Sequence, residues 1–248
     1  MNAQPAPERL DKILAGAGFG SRSDSKILIR SGAVVCDGIV VKSPEKKFIA
    51  EDANIKVNGA AINYRRRVYL MMHKPDGVIC ATYDPQHMTV IDLLPDSYRN
   101  RNLFPVGRLD IDTTGLLLIT DDGDLAHRLL SPKKHVEKEY EALLDRVPGS
   151  DVAEGFERGV IQDGGARLRP AKLFIIPAED LGGNTNKIHR VNVVITEGKF
   201  HQVKRMFLVY GINVLELKRI RMGNLCLDPS LALGEHRALT NSELSLIF

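Results

Sequence analysis

The chain has no tryptophan, few aromatic residues of any kind (6%) and three cysteines among its 248 residues. The shortage of aromatic rings counts against a carbohydrate-binding platform. Cys36, Cys80 and Cys226 stand far apart and form no CxxC pair. That argues against a disulfide framework or a cysteine zinc site and suits a reducing cytoplasm. The seven histidines also lack metal-ligand spacing, so no metal is expected. No apolar run reaches the roughly 20 residues a membrane span needs, so no membrane association is expected. Met1 to Glu8 has no apolar segment of the kind a secretory leader carries. Residues 1–7 read as a disordered tail.

What is present is enough for a real core: 44% hydrophobic residues, with 26% charged. The length admits one large or two ordinary domains. The net charge is only +3, but the positive residues cluster. Between Gly198 and Gly223, Lys199, Lys204, Arg205, Lys218, Arg219 and Arg221 stand against Glu216 alone. Arg65-Arg66-Arg67 forms a second cluster. Two such clusters in different segments favour a polyanionic partner over a merely solvated face.

Residues 8–64 read as a unit of their own. Leu10, Ile13 and Leu14 have helical spacing within Arg9–Ala17. Gly16, Gly18 and Gly20 interrupt, Ser21 or Ser23 can cap a second helix over Asp24–Ser31, and Gly32 can end it. Asp37-Gly38 between two β-branched runs signals a two-residue hairpin. A short strand, Ile55–Val57, follows. Lys12, Arg22, Lys26 and Arg30 would present a basic helical face. This segment resembles the S4 RNA-binding domain, on Arg9-Leu10-Asp11-Lys12 and Ser21-Arg22-Ser23; the alternative is a helix-hairpin module with no ligand.

Residues 65–67 read as a basic hinge, and the pattern changes from Val68 on. Strands are expected over Val68–Met72, Val78–Thr82, Leu103–Val106, Leu116–Thr120, Glu139–Leu144, Leu173–Ile176, Ile188–Ile195 and Val214–Ile220. Helices are expected over Asp124–Leu130, Val152–Gly159 and His201–Tyr210. Strands and helices do not alternate as in a βαβ array, so an α+β domain with a mixed, mainly antiparallel sheet is expected over residues 68–248.

The most informative stretch is Gly107-Arg108-Leu109-Asp110-Ile111-Asp112-Thr113-Thr114-Gly115, which leads into Leu116-Leu117-Leu118. A carboxylate at the mouth of a buried strand can be shielded from water, as a nucleophile or general base requires. Alone, the stretch reads equally as a capped turn. Two further segments qualify that reading: Glu137-Lys138-Glu139-Tyr140 at the start of a strand, and Glu197-Gly198-Lys199-Phe200-His201-Gln202-Val203-Lys204-Arg205-Met206, which turns into a basic helix. Asp110 and Asp112 as paired glycosidase carboxylates are disfavoured by their spacing of two.

Together with Lys74-Pro75-Asp76-Gly77, these segments resemble the pseudouridine synthases, in the branch typified by the small-subunit ribosomal enzyme (the RsuA type). The likeness runs from Arg9 nearly to the C-terminus. It implies isomerisation of a uridine in 16S ribosomal RNA, of the type acting at position 516, through glycosidic bond cleavage, base rotation and reattachment at C5. The close alternative is a large-subunit (23S) ribosomal RNA pseudouridine synthase; the distant one is a non-catalytic S4-domain assembly factor. By the resemblance, Asp110 is the catalytic carboxylate, Tyr140 stacks on the target base, and Lys199 is the cation that pairs with Asp110. Leu217 floors the uracil pocket and Arg108 enters the space an extruded base leaves. Lys204 and Arg205 would contact phosphates, as would Lys218, Arg219 and Arg221. The S4-like unit, through Lys12, Arg22, Lys26 and Arg30, would grip folded or protein-bound RNA in a partly assembled small ribosomal subunit. No cofactor is implied, and nothing calls for more than a monomer.

Overall fold

The computed structural model describes residues 6–50, 52–62, 64, 66–98, 101–162, 165–176 and 189–247. Most of the expected tail, Arg65 of the expected hinge and Ile188 at the start of an expected strand lie outside them. The chain forms two compact units. The first takes in residues up to Val68 and, from further along the chain, Leu94–Leu103; the second takes in Tyr69–Leu93 and Phe104 onward.

In the first unit, β1 (Glu8–Arg9) leads into α1 (Leu10–Gly16) and then α2 (Arg22–Arg30). A capping box starts α2: the Ser21 side chain accepts from the Asp24 amide while Asp24 accepts from the Ser21 amide. Then come β2 (Val34–Cys36), β3 (Ile39–Val40), β4 (Lys47–Phe48), β5 (Ile55–Val57) and β6 (Ala60–Ala61). Asp37 and Gly38 both take positive φ, 51° and 81°, as a type I′ hairpin turn between β2 and β3 requires. Leu10, Ile13, Leu14 and Ile29 from the helices meet Val34, Ile55 and Val57 in one apolar core. The out-of-order segment is anchored by Arg101. Its guanidinium donates to the Gly16 and Arg66 carbonyls and lies 4.7 Å over the Tyr64 ring.

The second unit comprises β7 (Tyr69–Lys74), β8 (Phe104–Pro105), β9 (Thr113–Thr120), α3 (Gly123–Leu130), β10 (Lys138–Leu144), α4 (Ser150–Arg158), β11 (Lys172–Ile175), β12 (His189–Ile195), α5 (Gln202–Leu208), β13 (Val214–Met222), β14 (Leu225–Cys226), β15 (His236–Ala238) and α6 (Asn241–Ile247). Its sheet runs β11-β12-β10-β13-β9-β7-β15, with β14 on β13 and β8 on β9. β13 and β9 run parallel, while the other pairs are antiparallel, so the sheet is mixed as expected. No helix among the described residues is long and apolar enough to cross a membrane.

The parallel pair explains a glycine of the Asp110 motif. Gly115 has φ +107°, and a Cβ there would meet the Arg219 carbonyl oxygen at 2.2 Å. Only glycine lets β9 and β13 approach this closely, which sets Leu217 beside Thr113 and Arg219 beside Gly115. Along β10, alternate residues Lys138, Tyr140, Ala142 and Leu144 are buried on one face. There Tyr140, Ala142 and Leu144 join Val191 and Val193 of β12 and Val203 and Phe207 of α5.

The structure departs from expectation in places. Val78–Thr82 is not a strand. Ile79 makes a single bridge to Thr89, while Asp84 and Asp92 accept from nearby amides and fold the segment into turns. β9 begins at Thr113, three residues before the expected Leu116, because the parallel partner holds its polar first residues. His201 is not helical but takes φ 48°, ψ 35°, the left-handed region, just before α5.

Candidate active site

The Asp110 turn is held from below by a buried cation. Lys74, at the end of β7, is fully buried, and its Nζ donates to the carbonyls of Pro75, Ile111 and Thr113 at 2.9, 3.1 and 3.0 Å. The Gly77 amide donates to the Ile111 carbonyl as well, and the Thr113 amide to that of Asp110. Lys74-Pro75-Asp76-Gly77 therefore braces the turn. Burial lowers the pKa of Lys74, opposed by Cys80 and by the Asp76, Asp112 and Asp110 carboxylates. On the other side the Leu109 amide donates to the Cys80 sulfur at 3.3 Å, and burial pushes that thiol's pKa up. Sequence reasoning took Lys74 only as part of the Lys74-Pro75-Asp76-Gly77 segment that carries the resemblance. The signal for more was a lysine closing an otherwise apolar strand.

Above this brace one cleft gathers residues from four separated segments. Arg108, Leu109, Asp110 and Thr113 line it from the turn, Tyr140 from β10, Gly198, Lys199, Gln202 and Val203 from the turn into α5, and Leu217 from β13. Asp110, Tyr140, Lys199, Arg108 and Leu217 are thus brought together. The Tyr140 ring is 7% exposed and Leu217 is equally well buried, giving the cleft an apolar side, whereas the Asp110 side chain is 26% exposed. The Thr113 hydroxyl is buried in the cleft wall with no hydrogen-bond partner among the described residues. A wider pocket of about 740 Å³ adjoins it, lined among others by Cys80, Arg108, Lys138, Tyr140, Arg169, Lys199 and Arg219.

The expected ion pair between Lys199 and Asp110 is not formed. Lys199 Nζ lies 3.6 Å from Glu197, its near neighbour on the same turn. Glu197 is fixed there because it accepts from the Arg169 amide and from the Gln202 side chain. The side chain beside Asp110 is instead His201, with Nε2 3.6 Å from Oδ1.

Lys204 and Arg205 part company. Lys204 turns inward and donates to both oxygens of Asp112, tying α5 to the Asp110 turn. That hydrogen bond holds Asp112 below the usual carboxylate range. Lys204 is therefore a strut where a phosphate contact was expected, and Arg205 stays exposed. Arg219 and Arg221 also depart from that expectation. Arg219 is 1% exposed, with Nε donating to the Leu116 carbonyl. Arg221 pairs with Glu139 and Glu137 at 2.7 and 3.2 Å. Lys138 is buried too and donates to the Val136 carbonyl; burial, and then Arg219, lower its pKa.

On the first unit, Arg22, Lys26 and Arg30 recur every fourth residue along α2 and share a face. Arg22 and Arg30 are exposed and Lys26 is half-buried. Arg22 lies 3.9 Å from buried Asp11, and Lys12 pairs with Glu8, whereas Lys26 and Arg30 make no ion pair among the described residues. Among the described residues no cluster of three histidine, cysteine or acidic side chains could hold a metal.

A carboxylate, a phenol ring and several cations sharing one cleft suit an acid-assisted reaction on an anionic, aromatic-bearing substrate. The comparisons with known proteins specify it. The RNA pseudouridylate synthase family model matches residues 68–208, and the S4 domain model matches residues 8–54. An uncharacterized RNA pseudouridine synthase of Bacillus subtilis is 46% identical over 240 residues, 96% of this chain and 98% of its own length. Ribosomal small subunit pseudouridine synthase A of Vibrio cholerae is 42% identical over 97% of this chain and 99% of its own. A crystal structure of a pseudouridylate synthase, 35% identical, superposes over 97% of this chain and 99% of its own with a TM-score of 0.65. The chain belongs to the RNA pseudouridylate synthase family. It is an enzyme, an RNA pseudouridine synthase with an S4 domain at its N-terminal end.

Proposed function

We propose that the enzyme isomerises a uridine of 16S ribosomal RNA, presented in a partly assembled small ribosomal subunit, and that it works as a cytoplasmic monomer. The observation that carries this reading is the convergence of Asp110, Tyr140, Arg108, Lys199 and Leu217 on one cleft from four segments. The choice of small-subunit RNA is supported by relatives named ribosomal small subunit pseudouridine synthase A, similar over nearly the whole chain.

In the reaction the N1–C1′ bond of the nucleoside breaks, the uracil turns, and a C5–C1′ bond forms. C5 loses a proton and N1 gains one, so the step is a balanced isomerisation. Asp110, seated on its Lys74 brace, is the catalytic carboxylate. The Tyr140 ring stacks on the uracil, Leu217 closes the pocket beneath it, and the Tyr140 hydroxyl is available to the proton on C5. Extruding the uridine costs roughly a few kcal/mol. Arg108, exposed at the rim, fills the gap it leaves. Lys199 lends positive charge to the cleft. The S4 unit grips RNA through the α2 face, and residues 65–67 act as the hinge between residues 8–64 and the catalytic residues 68–248.

The test is tritium release from 5-tritiated uridine in 16S RNA, supplied free and in assembling small-subunit particles, with Asp110→Asn as control. Release from the wild type that falls to background in the variant is the expected result. Release from 23S RNA alone would transfer the reading to the large subunit. Silence on all substrates would overturn it.

A further inference from the structure

Phe200 is 71% exposed, although it sits between two residues of the site: Lys199, which lines the cleft, and His201, which faces Asp110. Its ring lies parallel on the His201 imidazole, with centroids 3.7 Å apart and planes 18° from parallel. One face of the phenyl ring is thus covered and the residue remains largely open to solvent. An exposed apolar residue is ordinary by itself; Phe200 is set apart by its stack on His201 and its place between two residues of the site.

The backbone is committed to the arrangement. His201 occupies the left-handed region at φ 48°, ψ 35°, an uncommon conformation for a residue with a Cβ. The turn beneath it is braced by Gln202, whose side chain accepts from the Lys199 amide and donates to Glu197, both at 2.9 Å. Strain held by such bracing is found where a side chain's placement serves a site. Here His201 turns its Nε2 toward Asp110, 3.6 Å from Oδ1, and offers a ring face to Phe200. The phenyl ring therefore stacks directly on the residue beside the carboxylate. Cleft-lining Lys199 precedes it in the chain, and exposed Arg205 follows on α5.

We propose that the Phe200–His201 stack is a platform for the unpaired nucleobase next to the target uridine. The occupant is a base of the substrate RNA itself, because the stack lies in the chain between the cleft-lining residues Lys199 and Gln202 and its imidazole stands beside Asp110. Single-stranded bases are commonly held by stacking on aromatic rings, largely without regard to sequence. The platform would hold the neighbouring base while the uridine is turned. This inference rests on the reading of the cleft as a uridine-isomerising site.

The test uses the full-length enzyme and the RNA on which wild-type tritium release has located the target uridine. Phe200→Leu, which keeps apolar bulk without a ring, is expected to lower kcat/KM between about 5- and 150-fold, the span of base–aromatic stacking. Most of the fall should appear in KM. Phe200→Trp should restore it. The substrate is then remade with an abasic nucleotide on the 5′ or the 3′ side of the target. On one of these two RNAs the penalty of Phe200→Leu should vanish, which also identifies the neighbour that is held. An equal penalty on both abasic RNAs and on the intact RNA, or no penalty on any, overturns the platform while leaving the assigned reaction intact. A wild type that releases no tritium from any RNA defeats the assigned reaction, and the platform with it.

Discussion

The two units place their positive charge in opposite ways. On the first, Arg22, Lys26 and Arg30 line one face of α2, two of them exposed. In the second, Lys74, Lys138 and Arg219 are buried and bonded to backbone carbonyls, while Lys204 and Arg221 are tied to carboxylates. Exposed cations release counterions when they meet phosphate and so govern affinity and salt dependence. Buried ones donate to backbone carbonyls and hold strands and turns in place. A count of lysines and arginines does not distinguish the two.

The comparison can be broken most severely where the second unit's strands meet. Gly115→Ala would drive a Cβ into the Arg219 carbonyl, with no flexible side chain to yield. A loss above about 4 kcal/mol in urea unfolding is expected, in the range of the most damaging single substitutions. A stable Gly115→Ala enzyme would refute the close β9–β13 approach. Lys74→Met comes next. It takes a donor from three carbonyls, of which that of Ile111 keeps the Gly77 amide; this should cost about 2 kcal/mol and loosen the Asp110 turn, so turnover falls further than stability alone explains. Unchanged kcat would show that the brace is dispensable.

Lys26→Ala combined with Arg30→Ala should sharpen the contrast from the other side. Thermal stability is expected to stay the same, while the slope of log K against log salt for RNA binding falls by about 1.5, as two phosphate contacts predict. An unchanged slope would mean that α2 does not touch RNA. The smallest effect concerns a half-exposed arginine. Arg237 sits between Asp228, held at about 2 first by hydrogen bonds from Ser230 and then by Arg237, and Glu243, held at about 2 first by Arg237. Depressed carboxylate pKa values contribute stability that is fully present above about 4.5 and lost as pH falls toward 2. Arg237→Gln should therefore lower Tm by a few degrees near neutrality, and this deficit should close on acidification. A deficit independent of pH would assign the loss to packing instead.

Much of this architecture was legible in the sequence, because local chemistry announced it. Ser21 or Ser23 marked a helix start and Asp37-Gly38 a hairpin, while the family resemblance marked Asp110, Tyr140 and Lys199 as residues of one site. What stayed hidden depended on partners distant in sequence. Lys199 was paired with Asp110 through the family resemblance, but Glu197 lies on its own turn and is held there by Gln202. Lys204 looked like a free cation until the fold brought Asp112 beside it. His201 looked helical, since no periodicity signals a single residue in the left-handed region. The strand expected over Val78–Thr82 had the right residues but no neighbour along its length.

Arg101 carries a consequence for how the molecule comes to be made. The ribosome emits the chain from its N-terminus, and domains tend to fold as they emerge. Residues up to Val68 do not complete the first unit, since Gly16, Tyr64 and Arg66 await a guanidinium encoded more than thirty codons later. By then β7, a strand of the second unit, has already been synthesised without its partners β9 and β15. Two half-built bodies therefore coexist on the nascent chain, and synthesis through Leu103 supplies the first with its last piece while β7 still lacks its neighbours.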